Sequence, residues 1–176
     1  MMKSGPQRGE TWVTVAQYYY LGGRLERALE FCQKAIALDS RLITAHILKG
    51  DILECVPRST LLLTFSDSDD GAGAMAAFKA AYTIYKHYWT ATYYLDSLIK
   101  HDSLTALSLG PEIAKALFGQ NTVRSNTLMG KIYSVDAKHH PAATKYFEKA
   151  LAMDSNSISA CIGLALISSP NKALVM

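Results

Sequence analysis

Small residues stand among large apolar ones along this chain at a spacing that recurs. The blocks are T-W-V-T-V-A-Q-Y-Y-Y from Thr11, A-H-I-L-K-G-D-I-L from Ala45, S-N-T-L-M-G-K-I-Y from Ser125 and A-C-I-G-L-A-L-I from Ala160. Their anchors are Ala16, Gly50, Gly130 and Ala165, separated by 34, 80 and 35 residues, so the middle interval holds one more unit and an insertion. Within the first block Trp12, Val15, Ala16 and Tyr19 fall on one face of a helix. Gly22-Gly23 then predicts a turn, because glycine takes a positive φ without cost, and Ala28, Cys32 and Ala35 mark the inner face of a second helix. Such units bury their apolar faces only by stacking on copies of themselves, so the register predicts an all-α repeat fold.

These blocks resemble tetratricopeptide repeats, helix-turn-helix units in which large and small residues alternate at fixed places. With the large residue counted as position 4, the first repeat carries Trp12 at 4, Val15 at 7, Ala16 at 8, Tyr19 at 11, Ala28 at 20, Cys32 at 24 and Ala35 at 27. The proline usual at 32 is replaced by Ser40, after Asp39. The second repeat begins with His46 at 4, Gly50 at 8 and Leu53 at 11, and resumes at Ala74, Phe78 and Ala81. About twelve residues are therefore inserted near 54–73, a segment with Pro57, an apolar run Leu61 to Phe65 and an acidic stretch, expected to form a long loop. The third repeat places Ala91, Leu95 and Ile99 on its first helix, with Asp96 at the small position. Its second helix would span Ser103 to Phe118, but Gly110-Pro111 predicts a break or kink there, or a helix that starts only at Pro111. The fourth repeat returns to the pattern with Gly130, Tyr133, Ala143, Phe147 and Ala150.

The resemblance implies a right-handed superhelical solenoid of about four and a half repeats: a flexible start at 1–8, then one array over 9–176. Its repeats are 9–42, 43–88 with the insertion, 89–122, 123–156 and a partial unit at 157–176. The packing anchors are Trp12, Ala16, Tyr19, Ala28, Gly50, Ala74, Phe78, Gly130, Tyr133, Ala143, Phe147 and Ala150. The last helix, Ser157 to Ile167, is apolar where a capping helix carries a polar outer face, so the solenoid is expected to continue or to be covered by another chain. W-V-T-V-A-Q-Y-Y-Y, R-A-L-E-F-C-Q-K-A-I-A-L-D-S and Y-F-E-K-A-L-A-M-D-S further resemble the family of subunit 7 of the anaphase-promoting complex. That family implies a non-catalytic, homodimeric scaffold within a large ubiquitin ligase of the cell cycle, with other tetratricopeptide subunits as partners. The broader alternative is an adaptor or co-chaperone that binds peptide segments.

In such arrays the partner groove is lined by positions 2, 5, 6, 9 and 12 of the first helix of each repeat. The residues assigned to it are Val13, Gln17, Tyr20, Ile47, Leu48, Tyr93, Tyr94 and Leu128, an apolar and aromatic set suited to a helix or extended segment. Each has a second reading, as core packing between repeats, because repeat helices are buried on more than one side. In chaperone-binding relatives these helices carry cations and asparagines that hold a terminal carboxylate. Here the corresponding places are Val13, Gln17, Leu48, Thr90 and Tyr94, which supply no cation.

Composition narrows the remaining classes. Net charge is +3 and the basic residues are scattered, so there is no footprint for nucleic acid or a membrane surface. The longest apolar run, Ala160 to Ile167, is eight residues, too short to span a bilayer. Cys32, Cys55 and Cys161 are odd in number and far apart, which predicts reduced thiols and a nuclear or cytoplasmic setting. Asp67, Asp69, Asp70 and Gly71 suggest a calcium loop, but its glycine and bidentate acid would fall on Ala72 and Phe78. Ser66 and Ser68 sit beside acids as sites for an acid-directed kinase. His46, His87, His101, His139 and His140 lack metal-ligand spacing, and His46 is expected to pack in the core. Lys34, Lys79, Lys145 and Lys149 read as a solvated face. No nucleophile motif, phosphate loop or dinucleotide fingerprint is present, so neither catalysis nor a cofactor is expected.

Overall fold

A computed structural model of the chain describes residues 8–55, 70–119 and 121–168, and all the regular structure among them is helical. The helices are α1 (Gly9–Leu21), α2 (Leu25–Leu38), α3 (Ile43–Cys55), α4 (Asp70–Ile84), α5 (Tyr88–His101), α6 (Ser103–Phe118), α7 (Val123–Tyr133), α8 (His140–Met153) and α9 (Ile158–Ser168). A short 3₁₀ turn, Ala137–His139, precedes α8. The helices gather into two compact units, Met1–Ser97 and Leu98–Met176. In the first, α1 packs on α2, α2 on α3 and α3 on α4. In the second, α6 packs on α7, α7 on α8 and α8 on α9.

The turns follow from local chemistry. After α1 the Gly23 N–H donates to the Tyr20 carbonyl and the Arg24 N–H to that of Tyr19, at 3.0 and 2.9 Å, which caps two orphan carbonyls. This closure needs a left-handed residue, and only Gly23 of the pair takes one, with φ +70°. After α2 the position usually held by proline is managed by Asp39, whose carboxylate accepts the Arg41 N–H at 2.9 Å. Asp154 repeats this after α8 by accepting the Asn156 N–H at 3.0 Å. His46, expected in the core, is half-buried and instead donates from Nε2 to the Ser40 carbonyl at 2.9 Å, tying this same turn to α3.

The core is organised by a size match. Gly50 of α3 and Gly130 of α7 are buried, and a Cβ on either would lie 2.5 Å from the ring of Phe78 or Phe147 respectively. Each phenylalanine comes from the second helix of its pair, and both are fully buried together with Ala74, Ala81, Ala143 and Ala150 on the same faces. Phe147 meets a second glycine, since a Cβ at Gly163 of α9 would also fall on its ring. In the first pair the corresponding places hold Ala16 and Cys32, both fully buried, so a larger residue at one place accompanies a smaller one at the other. Full burial of each phenylalanine contributes about 3 kcal/mol.

Several sequence expectations are corrected. Asp96 is exposed, while Leu95 and Ser97 on either side of it are fully buried, so Asp96 does not fill the small buried place of its repeat. A carboxylate in that interior would lose its hydration without compensation. α6 runs unbroken from Ser103 through Pro111 to Phe118. Gly110 is not a breaker: it is buried where a Cβ would lie 2.8 Å from Ile132 Cδ1, and so lets α6 approach α7. Asp102 starts this helix by accepting the Thr105 N–H and hydroxyl at 3.0 and 2.6 Å. In α9 the glycine against Phe147 is Gly163, while Ala165 is exposed. Residues 70–73, assigned to the insertion, form the first turn of α4. Pro57, Leu61 to Phe65, Ser66, Ser68, Asp67 and Asp69 lie outside the described residues.

Replacing Gly50 or Gly130 by leucine is expected to destabilise the chain by about 1–3 kcal/mol or more through overpacking. Urea denaturation followed by far-ultraviolet circular dichroism measures this, and unchanged midpoints in both variants would contradict the assigned helix contacts.

Candidate protein-binding surface

The eight positions assigned to a groove separate into two groups. Val13, Ile47, Leu48, Tyr94 and Leu128 are buried, so they pack between helices and are not open to a partner. Their apolar character comes from core formation, as it does for any helix buried on more than one side. Tyr94 of α5, for example, stacks on Tyr82 of α4 with ring centroids 5.9 Å apart. Gln17 and Tyr93 are exposed, and Tyr20 is half-buried. Of the places that would form a carboxylate clamp, Val13, Leu48, Thr90 and Tyr94 are buried and only Gln17 is exposed.

Tyr20 brings together residues that the groove assignment did not include. Its hydroxyl, near the end of α1, lies 3.5 Å from the Cys55 Sγ at the end of α3. That contact, followed by partial burial and by the negative charge of Asp51, pushes the Tyr20 hydroxyl up to about 12. Asp51, one turn before Cys55, is half-buried, and its carboxyl is pushed up to about 6 by loss of hydration and then by Glu54. Among the described residues no cation pairs with Asp51 and no donor reaches it. Tyr93 of α5 completes the cluster, stacked on Phe78 with centroids 5.5 Å apart. Asp51 occupies position 9 of its repeat, the same place as Gln17 in the first, so the repeat register held the signal that would have found it.

The packing anchors also divide. Ala16, Ala28, Gly50, Ala74, Phe78, Gly130, Ala143, Phe147 and Ala150 are buried, whereas Trp12, Tyr19 and Tyr133 are only half-buried. Trp12 and Tyr19 enclose Phe31 of α2 in a stack with centroid separations of 5.4 and 5.2 Å, and Lys34 Nζ stands 4.8 Å from the Phe31 centroid. Tyr133 and Tyr146 stack at 5.6 Å with Lys149 Nζ 5.4 Å from the Tyr146 centroid. Lys34 and Lys149 therefore cover aromatic rings and are not simply solvated. A separate cleft of about 560 Å³ in the second unit is lined by Lys115, Asn126, Met129, Tyr146, Lys149 and Met153, among others. Asn126 is held there by donating to Asn121 Oδ1 at 3.3 Å.

Among the described residues no group of three or more histidine, cysteine or acidic side chains is placed to hold a metal. No described helix is long and apolar enough to cross a membrane. Burial pushes the Cys32 thiol up to about 12, whereas Cys55 and Cys161 are exposed.

Residues 9–41, the α1–α2 pair and its turns, match the tetratricopeptide repeat family profile. Residues 9–41 thus resemble one tetratricopeptide repeat, and the helix pairs described above are consistent with an all-α fold of that type, a class of repeat that binds other proteins. Over 168 residues the chain is 24% identical to anaphase-promoting complex subunit 7 of Dictyostelium discoideum, which covers 94% of this chain and 26% of that relative. The chain thus spans about a quarter of the length of the relative it resembles.

Two predictions follow from these surroundings. Because the folded Asp51 value of about 6 lies above the ordinary 3.8, the folded chain holds a proton there that the unfolded chain has released. Stability is therefore lost as pH rises from about 4 through about 6, and Asp51→Asn should remove that loss and be the more stable form at neutral pH. Urea midpoints of both proteins across this range test it, and parallel pH profiles would contradict it. A thiol reagent should modify Cys55 and Cys161 in the folded chain and reach Cys32 only after denaturant is added. Equal rates at all three would contradict the burial of Cys32.

Proposed function

We propose that this chain is a non-catalytic scaffold that acts within the anaphase-promoting complex, the ubiquitin ligase of cell-cycle protein degradation, through contacts with other tetratricopeptide subunits. The observation that carries this reading is the likeness to subunit 7 over almost the whole chain, across both compact units. The homodimer, and residence in nucleus and cytoplasm, belong to the same proposal. A co-chaperone is disfavoured by the absence of any cation at Val13, Gln17, Leu48, Thr90 and Tyr94.

The test is affinity purification of the tagged chain from dividing cells, with mass spectrometry and light scattering on the eluate. Co-purification of ligase subunits in a particle larger than the monomer is expected. A monomer that retains none of them would contradict the assignment to this complex and leave the fold untouched.

A further inference from the structure

The cleft in the second unit lies where the first repeat holds a ring. Gly130 fills the place of Ala16, so Asn126 stands where α1 has Trp12. By the same register Tyr146 stands where α2 has Phe31, and Lys149 where it has Lys34. In the first repeat Trp12 and Tyr19, two turns apart on α1, stack on Phe31 with interplanar angles of 10° and 13°. Lys34 Nζ stands 5.6 Å from the Trp12 centroid. In the second unit Tyr133 stacks on Tyr146 at 8°, as Tyr19 does on Phe31, but Asn126 brings no ring to the other place. The cleft of about 560 Å³ opens there, bounded by α6, α7 and α8, with Tyr146 and Lys149 in its wall. Asn126 itself is only 4% exposed, and both of its described bonds come from its amide nitrogen, at 3.3 Å to Asn121 Oδ1 and 3.7 Å to Met153 Sδ. Among the described residues its Oδ1 is therefore left to accept an N–H, which an indole has and a phenyl ring lacks.

We propose that this cleft takes a tryptophan from an acidic segment of a partner protein, its indole stacked on Tyr146 beside Lys149 as Trp12 is stacked on Phe31 beside Lys34. This rests on the reading of the chain as a protein-binding scaffold and adds the chemistry of one partner. In its first repeat the chain already holds an indole against the same pairing of aromatic ring and lysine, where stacking and a cation at the ring face both favour it. Charge selects the residues around the tryptophan. Lys115 and Lys149 line the cleft, and among the described residues lining it none is acidic. A basic segment would meet both lysines as like charges, and an aliphatic side chain would neither stack on Tyr146 nor donate to Asn126.

Fluorescence polarisation of the full chain tests this. The probe is a fluorescein-labelled peptide with one tryptophan between glutamates, and its counterparts carry leucine for the tryptophan or lysine for the glutamates. The tryptophan–glutamate peptide is expected to bind saturably, and about tenfold more tightly than either counterpart at low salt. Asn126→Trp supplies the missing ring from within the chain, so this variant, with its helical circular dichroism intact, should bind the probe about tenfold more weakly or not at all. Lys149→Glu, at an exposed position, should lower the affinity by about tenfold. Lys79→Glu, the same charge change at an exposed position in the first unit, should leave it unaltered. Undiminished binding by a folded Asn126→Trp chain, equal effects of Lys149→Glu and Lys79→Glu, equal binding of the tryptophan and leucine peptides, or no saturable binding would overturn the proposal. Retention of ligase subunits by a chain that fails this assay would remove the site and leave the scaffold reading standing. A cleft that binds the tryptophan peptide on a chain that retains no ligase subunit would do the reverse.

Discussion

A phenylalanine ring laid against a glycine is the contact on which the helix pairs depend. Phe78 on Gly50 and Phe147 on Gly130 bring two helices close enough that no side chain fits between ring and backbone. That approach fixes how each pair turns, and so which residues its first helix shows to the outside. Gly163 extends the arrangement by letting α9 also come up against Phe147. Where the ring is replaced by Cys32, the glycine is replaced by Ala16, and the volume of the pair is shared differently between the two positions. Interiors of this density tolerate a methyl group only where space was left for it.

Surface chemistry follows from that geometry. Once Cys32 or Phe147 faces inward, the aromatic residue before it is left at the boundary. Phe31 is thus held between Trp12 and Tyr19 under Lys34, and Tyr146 lies against Tyr133 under Lys149. On α3 the buried row of Ile47, Leu48 and Ile52 sets Asp51 at the edge of the packed interior, half-shielded beside Tyr20. The same helices therefore supply both the stabilising core and the polar residues at its edge.

Residues whose role is set by size were legible in the sequence. Gly50, Gly130 and the alanines of α2, α4 and α8 were found from spacing alone, because a repeat must keep small residues wherever helices touch. Counting by spacing failed at Asp96, which is exposed between buried Leu95 and Ser97, at an interval that the insertion had blurred. It failed at Gly110-Pro111 because local propensity marks a break, whereas packing against Ile132 favours a continued helix. The groove was only partly legible. Apolar residues at the expected positions proved to be core, and exposure depends on which neighbours a helix gains, something the pattern of a single helix does not encode. Asp51 stood at a groove position all along, but its significance lies in burial without a partner, which only the packed structure reveals.

The central claim is that the two facing places of a pair are matched in size, glycine with phenylalanine in two pairs and alanine with cysteine in the first, and a double-mutant cycle in the first pair measures it. Cys32→Phe alone should destabilise the chain by about 1–3 kcal/mol through overpacking against Ala16. Adding Ala16→Gly should recover most of that loss, with a coupling of about 1 kcal/mol or more between the two positions. Additive effects, with no recovery in the double variant, would contradict the account.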